Sequence, residues 1–258
     1  MKLFKNLYNY RELLNSNIKK EIRGKYKGSF LGVLWSFVNP LLMTLVYAIV
    51  FPFILRSSEP HYVTYLVIGI LPWTWFTTVI AQGTVTILAN AGIIKKVYFP
   101  REILPISVVT SGLVNFLIQC LIIFMFLLFS GIGFTANIIF LPIIIIAQYL
   151  LLLGIILITS SINLYIRDLE YIINFFVTML FYATPILYSE KLFAGTGLSF
   201  IFKINPMAII INGYRDIFYY QQMPNFFSLL IVGLFALGLV FVGFLVFRKL
   251  EKGFAEEV

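Results

Sequence analysis

Charge is what this sequence has least of. Only 12 % of its 258 residues are Asp, Glu, Lys or Arg, 60 % are hydrophobic, and the mean hydropathy is +0.96. Soluble domains carry roughly 25 % charged residues, so a soluble enzyme is excluded and the chain reads as an all-α integral membrane protein. Cysteine occurs once, at Cys120, and histidine once, at His61, which excludes an intramolecular disulfide and any clustered Cys/His metal site. No G-x-x-x-x-G-K-[ST] run is present to cradle a nucleotide, so any power for transport must come from another subunit. The first 29 residues are polar and basic, without the apolar core of a cleavable leader, so the first span is expected to act as its own insertion signal.

What is abundant is apolar sequence, and the gaps between charges mark the spans, since about 20 apolar residues cross a hydrocarbon core of roughly 30 Å. Six crossings are expected. Spans one and two run about Phe30 to Ile54 and Val63 to Leu88. No charge occurs from Ile103 to Ile166, too long for one helix, and Ser130-Gly131-Ile132-Gly133-Phe134-Thr135-Ala136-Asn137 is the expected turn between spans three and four. Span five runs about Tyr171 to Tyr188, and span six about Phe226 to Phe247, its start marked by Pro224-Asn225. The expected layout of this single transmembrane domain is an interface helix in 1–29, spans one to five in 30–188, an outer region in 189–225, and span six with a tail in 226–258.

Fifteen of the nineteen Lys and Arg fall before span one, between spans two and three, after span four and after span six. The positive-inside rule then puts both termini in the cytoplasm. Apolar residues at Leu3, Leu7, Tyr10, Leu14, Ile18, Ile22 and Tyr26 recur at three- and four-residue steps between basic ones, which predicts an amphipathic helix on the cytoplasmic surface. Between spans five and six, two apolar pieces too short to cross, 198–202 and 207–211, are broken by Pro206 and Gly213. They read as re-entrant half-helices at the outer face, which irregular backbone permits only where protein or water satisfies it. An ordinary amphipathic outer loop is the alternative.

None of the predicted spans contains Asp, Glu, Lys, Arg or His. Ion- or proton-coupled transport and membrane catalysis both need such groups, so neither is expected. Aromatics are plentiful at 17 %, many of them away from the interfaces that Trp and Tyr prefer. Trp73, Trp75 and Phe76 lie near the middle of span two; Tyr171, Asn174, Thr178, Phe181, Pro185 and Tyr188 share one face of span five, with Tyr182 beside them; Asn39, Met43, Tyr47 and Phe51 repeat the pattern on span one. Rings with polar edges suit the passage of sugar, whose C–H faces pack on rings while hydroxyls find Tyr, Thr and Asn. Helix packing and lipid contact are the plainer roles for each ring taken singly. Gly24, Gly28 and Gly32 form a small-residue stripe fit for close helix approach. Arg23, Lys25 and Lys27 beside it sit at headgroup level, where they either attract an anionic lipid phosphate or simply snorkel. Arg167-Asp168 reads as a solvated helix end.

Five blocks then give the chain a resemblance. They are Tyr26-Lys27-Gly28-Ser29-Phe30-Leu31-Gly32-Val33-Leu34-Trp35 with Asn39-Pro40-Leu41-Leu42; Lys95-Lys96-Val97-Tyr98-Phe99-Pro100-Arg101-Glu102-Ile103-Leu104-Pro105; Tyr165-Ile166-Arg167-Asp168-Leu169; Phe181-Tyr182-Ala183-Thr184-Pro185-Ile186-Leu187-Tyr188; and Asn205-Pro206-Met207 followed by Tyr214-Arg215. In this order, and nearly end to end, the sequence resembles the permease subunits of bacterial ABC transporters that export lipid-linked polysaccharides such as O-antigen, capsule and teichoic acid. The resemblance implies six spans, an N-terminal interface helix and outer gate helices between spans five and six. It also implies a homodimer in the bacterial cytoplasmic (inner) membrane, bound to two copies of a cytoplasmic ABC ATPase that holds the ATP and Mg. The chain itself would be a passive permease with no cofactor, no metal and no nucleic-acid partner.

Carried onto these residues, the resemblance implies an ATPase-coupling helix from about Asn90 to Arg101. Ile93, Ile94, Lys95, Lys96, Val97, Tyr98 and Phe99 give that segment an amphipathic character fit for a partner's groove, ended by Pro100. A channel at the dimer interface would be lined by Asn39, Tyr47, Phe51, Trp73, Trp75, Phe76, Asn174, Thr178, Phe181, Tyr182 and Tyr188. Thr184, Pro185 and Pro206 would form the outer gate. Arg23, Lys25 and Lys27 would receive the pyrophosphate of an undecaprenyl carrier, and membrane lipids would surround the whole. Two other functions remain open on the sequence. One is an ABC permease for a smaller lipid or hydrophobic drug, which should prefer an aliphatic cavity; the other is a membrane enzyme of polysaccharide assembly, for which Glu190, Asp216 and Arg215 are the outer candidates.

Overall fold

The structure, a computed structural model, describes residues 8–26, 28–30, 32–55, 59–193, 195–197 and 199–257, and all regular structure among them is helical. The elements in chain order are α1 (Arg11–Tyr26), α2 (Trp35–Leu55), α3 (Tyr62–Thr84), the single turns α4 (Thr86–Ala89) and α5 (Ala91–Ile94), α6 (Ile103–Phe129) and α7 (Leu141–Asn163). There follow α8 (Leu169–Tyr182), α9 (Ser199–Ile204), α10 (Pro206–Phe218), α11 (Phe226–Leu250) and α12 (Phe254–Glu257). Among the described residues, four helical stretches are long and apolar enough to cross a membrane: Tyr62–Thr84, Ile103–Phe129, Ala136–Asn163 and Phe226–Gly253. Trp35–Phe51 and Leu169–Tyr182 are shorter apolar helices.

Long charge-free runs become helices because a helix satisfies every interior N–H and C=O within its own segment. Their ends follow local chemistry. α6 stops at Phe129, where Gly131 and Gly133 take positive φ of 73° and 75° that a side chain would resist. α11 starts where Asn225 Oδ1 accepts from the backbone N–H of Ser228 at 3.1 Å, and α10 starts with Pro206 at its first turn behind Asn205.

α3 is the centre of the bundle, with α2, α6, α7 and α10 packed around it, and it buries sixteen of its residues. α11 lies along α7, touches α10 near its start, and exposes much of its remaining surface. Glycines set that crossing: a Cβ on Gly154 would meet the Val240 backbone N at 2.8 Å, and one on Gly243 would meet Gly154 O at 2.9 Å. Backbone-to-backbone approach of this kind is how small residues hold helices together where no hydrophobic effect acts between them. A buried polar chain ties the middle of the bundle. Gln148 of α7 donates from Nε2 to the Pro72 carbonyl of α3 at 2.8 Å and accepts at Oε1 from the Tyr214 hydroxyl of α10 at 3.1 Å.

The expected amphipathic helix is present in α1, which packs on α6 with Leu13, Leu14, Asn17 and Ile18 turned inward. The glycine stripe is not a packing seam. Nothing lies within 4 Å of a Cβ on Gly24, Gly28 or Gly32, and the last two adopt positive φ of 80° and 49°. They turn the chain between α1 and α2. Span five also differs from expectation, because α8 ends at Tyr182 and the backbone from Ala183 to Ser189 is irregular. Pro185 lacks an N–H and disfavours helix at Thr184, so the helix closes three residues earlier.

Candidate functional site

α2 and α8 carry the aromatic and polar residues expected to line a channel, and each leaves a broad face exposed. α8 buries none of its side chains completely, with Tyr171 and Phe175 69 % and 62 % exposed; the buried edge of α2 is Ser36, Pro40 and Thr44, at four-residue steps. Rings from three helices meet where this face joins α3. Phe181 of α8 lies 6.0 Å from Tyr47 of α2, 5.8 Å from Trp73 of α3 and 5.4 Å from Tyr182, centroid to centroid. Phe51 extends the cluster from Tyr47 at 5.6 Å and Phe76 extends it from Trp73 at 5.2 Å. Trp73 and Phe76 are buried behind Phe181, whereas Tyr182, Asn39, Asn174 and Thr178 are exposed on the α2 and α8 surfaces. Trp75 is a correction to the expected lining. It turns to the other side of α3, stacks on Phe116 of α6 at 4.9 Å, and packs over Gly112, so it is core. Two residues after Trp73 on a helix of 3.6 residues per turn, its side chain faces the opposite direction.

Tyr188 joins a second ring cluster with Phe193 at 5.2 Å and Phe202 of α9 at 6.0 Å. This lies beyond the broken end of α8, where side chains from three other elements meet the freed carbonyls. Arg215 of α10, only 1 % exposed, donates from Nη1 to Pro185 O and from Nη2 to Ile186 O at 2.7 Å. The Tyr62 and Tyr65 hydroxyls of α3 donate to Leu187 O at 2.6 Å and Tyr188 O at 2.9 Å. Asn205 Nδ2 donates to Ala183 O at 3.2 Å and to Thr184 Oγ1 at 2.8 Å, while its Oδ1 accepts from the N–H groups of Met207 and Ala208 and so caps α10. The Tyr188 hydroxyl itself donates back to Tyr182 O at 2.6 Å. The Arg215 guanidinium carbon sits over the Tyr65 ring, 3.6 Å from its centroid, a cation–π contact that partly offsets the burial of its charge. The expected gate residues Thr184, Pro185 and Pro206 are thus brought together, with Asn205 and Arg215 as the ties.

The segment from Asn90 to Arg101 lies at the opposite end of α3. It is less helical than expected: α5 ends at Ile94, a turn covers Lys95 and Lys96, and Val97 to Pro100 are non-helical. Phe99 precedes a proline and is disfavoured in the helical region, although α5 has already ended at Ile94. Ile94 and Phe99 are buried anchors; Ile93, Lys95, Lys96, Val97 and Tyr98 project outward, Tyr98 being 93 % exposed. Asn90 is buried, donates to Thr86 O at 2.8 Å, and accepts from Lys20 Nζ of α1 at 2.7 Å. Arg101 donates to Glu251 O and sits 5.7 Å from the Phe254 ring of α12. The loop is therefore gripped by the first and last helices together.

Two comparisons bear on this architecture. The family described as ABC-2 type transporter matches residues 12–219, from α1 through α10. This chain belongs to the ABC-2 transporter family. An O-antigen export system permease protein RfbA of Myxococcus xanthus is 32 % identical over 259 residues, covering 100 % of both chains. Two proteins of the same description from Klebsiella pneumoniae are 35 % identical over 246 residues (95 % of this chain, 94 % of theirs) and 34 % identical over 257 residues (99 % and 98 %). Membership makes this a multi-pass membrane permease, in accord with its four long apolar helices.

In this ABC-2 chain, the residues that hold the break together were not assigned that role from sequence. Arg215 stood in the fifth block of the resemblance and among the outer groups of the enzyme reading, yet it is turned inward onto carbonyls and cannot meet a substrate at the surface. The available signal was an arginine nine residues after a proline in a mostly apolar segment, which asks for buried acceptors. Arg23 is exposed on α1, while Lys27 lies outside the described residues and nothing is described of the Lys25 side chain. Arg167 and Asp168 are exposed at the start of α8, where Asn163 Oδ1 accepts from Glu170 N at 3.0 Å. A solvated helix end fits them.

Proposed function

We propose that this ABC-2 chain is the permease subunit of an ATP-driven exporter that moves undecaprenyl-pyrophosphate-linked polysaccharide across the cytoplasmic membrane. Two copies face one another through α2 and α8. The observation that carries the reading is the uncovered aromatic and hydroxyl-bearing face of those two helices, ending in a backbone break braced by side chains. A sugar polymer slides along many weak ring contacts without being trapped, the compromise conduction requires in any channel. The O-antigen export role in the names of the Myxococcus and Klebsiella relatives supports the cargo class. An aliphatic cargo would not need Asn39, Asn174 and Thr178 exposed on the same surface.

In this reading α2 and α8 complete a count of six spans, with both termini cytoplasmic. At 1.5 Å per residue the 14-residue α8 is about 21 Å long, and the irregular 183–189 segment supplies the remaining reach. α9 and α10 are the re-entrant gate helices. The contact of Arg215 with Gly69 and of Tyr214 with Gln148 supports this, because both lie well inside the bundle. Each of two cytoplasmic ATPase subunits docks on Ile93, Lys95, Lys96, Val97 and Tyr98. Arg23, Lys25 and Lys27 collect the carrier pyrophosphate.

The test is co-purification with the ABC ATPase encoded beside this chain, followed by an ATPase assay with and without a scrambled 90–101 loop. A stable complex that fails to assemble in the scramble supports the reading. An intact chain that binds no ATPase refutes it.

A further inference from the structure

A cavity of about 860 Å³ opens between α10, the start of α11 and the connection that carries Glu190 and Lys203. It lies at the end of the bundle where α3 begins, away from the 90–101 loop. Its lining is mixed. Glu190, Lys203, Asn212 and Asp216 are its charged and amide groups, Ile209 lies on the same α10 face as Asn212 and Asp216, and Leu229 and Ile231 give it an aliphatic wall from α11. Asn212 Nδ2 donates to Glu190 Oε2 at 2.9 Å and Gln222 Nε2 donates to Asp216 Oδ1 at 2.7 Å, so both carboxylates are held in place. A carboxylate offers about four acceptor positions, and each retains capacity for a ligand. Burial, and secondarily the charge of Glu190, push the Asp216 carboxyl above its ordinary range, against the pull of the bonds from Gln222 and the Asn225 backbone.

The aliphatic wall continues onto the exposed side of α11, where Phe227, Leu230 and Leu234 are uncovered. A pocket that joins a polar, net negative chamber to an apolar helix face has the shape of a phospholipid site, headgroup inward and acyl chain along Ile231. The charges choose the headgroup. Two carboxylates repel an anionic one, and a trimethylated ammonium has no N–H to give them, whereas a primary ammonium offers three donors. Lys203, on the same lining, is the cation available to the phosphate that follows. A neutral sugar would leave the net negative charge of the chamber uncompensated.

We propose that this cavity binds the headgroup of an aminophospholipid, its primary ammonium held by Glu190 and Asp216 and its phosphate by Lys203. The site is separate from the α2 and α8 face and from the docking loop, so it is read on the chain alone, whatever the cargo. The full chain is reconstituted in nanodiscs of phosphatidylglycerol mixed with either phosphatidylethanolamine or phosphatidylcholine, and its retained lipids are counted by native mass spectrometry after extraction. Phosphatidylethanolamine is expected to be retained about tenfold over phosphatidylcholine, the factor one charge-assisted hydrogen bond carries. Glu190→Gln, at an exposed position, and Glu190→Gln with Asp216→Asn should remove that preference, while the remote Glu256→Gln keeps it. Equal retention of the two lipids, or a preference that survives the double variant, overturns the proposal. So does a rise in melting temperature with maltotriose in place of phosphatidylethanolamine, which would assign the cavity to sugar.

Discussion

Replacing Arg215 with lysine should loosen the broken end of α8 and little else. The guanidinium spans two carbonyls, Pro185 O and Ile186 O, with the Tyr65 ring beneath it. A single ammonium keeps the buried charge but cannot reproduce the fork, so one carbonyl loses its donor. A hydrogen bond to a charged group is worth about 1.5–3 kcal/mol, which corresponds to a roughly 10- to 100-fold change in a local opening equilibrium. Methionine would remove the charge together with its desolvation cost of several kcal/mol, so its effect on global melting should be the smaller of the two. The assay is amide hydrogen exchange in nanodiscs, followed for residues 183–189 against α6 and α7. Gly69→Ala is an independent route to the same state, since its Cβ would lie 2.8 Å from Arg215 Nη2 and must displace the guanidinium. Faster exchange confined to 183–189 in Arg215→Lys and Gly69→Ala is the expected result. Unchanged exchange there in both variants would refute the idea that Arg215 braces the break.

Gln148→Met should lower stability by about 1–3 kcal/mol, because the Pro72 carbonyl and Tyr214 hydroxyl lose their partner in the core. Adding Tyr214→Phe should recover part of that loss, and thermal unfolding of the single and double variants checks the coupling. Gly154→Leu should prevent α11 from seating on α7 and abolish a folded monodisperse peak on size exclusion. Gly24→Ala, at a helical position with open space around it, should instead be neutral or gain about 0.5–1 kcal/mol. Cysteine at Phe175, in a Cys120→Ala background, should cross-link two copies of the chain, as seen by non-reducing electrophoresis, whereas cysteine at Leu234 on α11 should not.

Much of the helix layout was legible because it rests on physics that acts locally. Sparse charge marked the long helices, the glycine pair at 131 and 133 marked the turn after α6, and Asn225 marked the start of α11. Helical spacing marked the faces of α2 and α8 that carry Tyr47 and Phe181, while their meeting with Trp73 is set by how the three helices pack. What escaped was set by tertiary partners. Trp75 and Phe76 are adjacent in sequence but face different neighbours, and only the position of α6 beside α3 makes Trp75 core. The end of α8 at Tyr182 depended on whether Pro185 would be tolerated as a kink or used as a stop. That choice was decided by Arg215, Asn205, Tyr62 and Tyr65, which stand ready to bond the freed carbonyls. Likewise, the 90–101 segment reads as a helix by pattern, yet its anchors Ile94 and Phe99 are five residues apart and bury only because the chain unwinds between them.

The most direct test of the exporter account is to delete the gene for this chain and follow lipid-linked polysaccharide across the cytoplasmic membrane. Polymer made inside should accumulate there and disappear from the cell surface, with both restored by the intact chain and not by one with the 90–101 loop scrambled. Surface polymer at its ordinary level in the deletion strain would contradict the account.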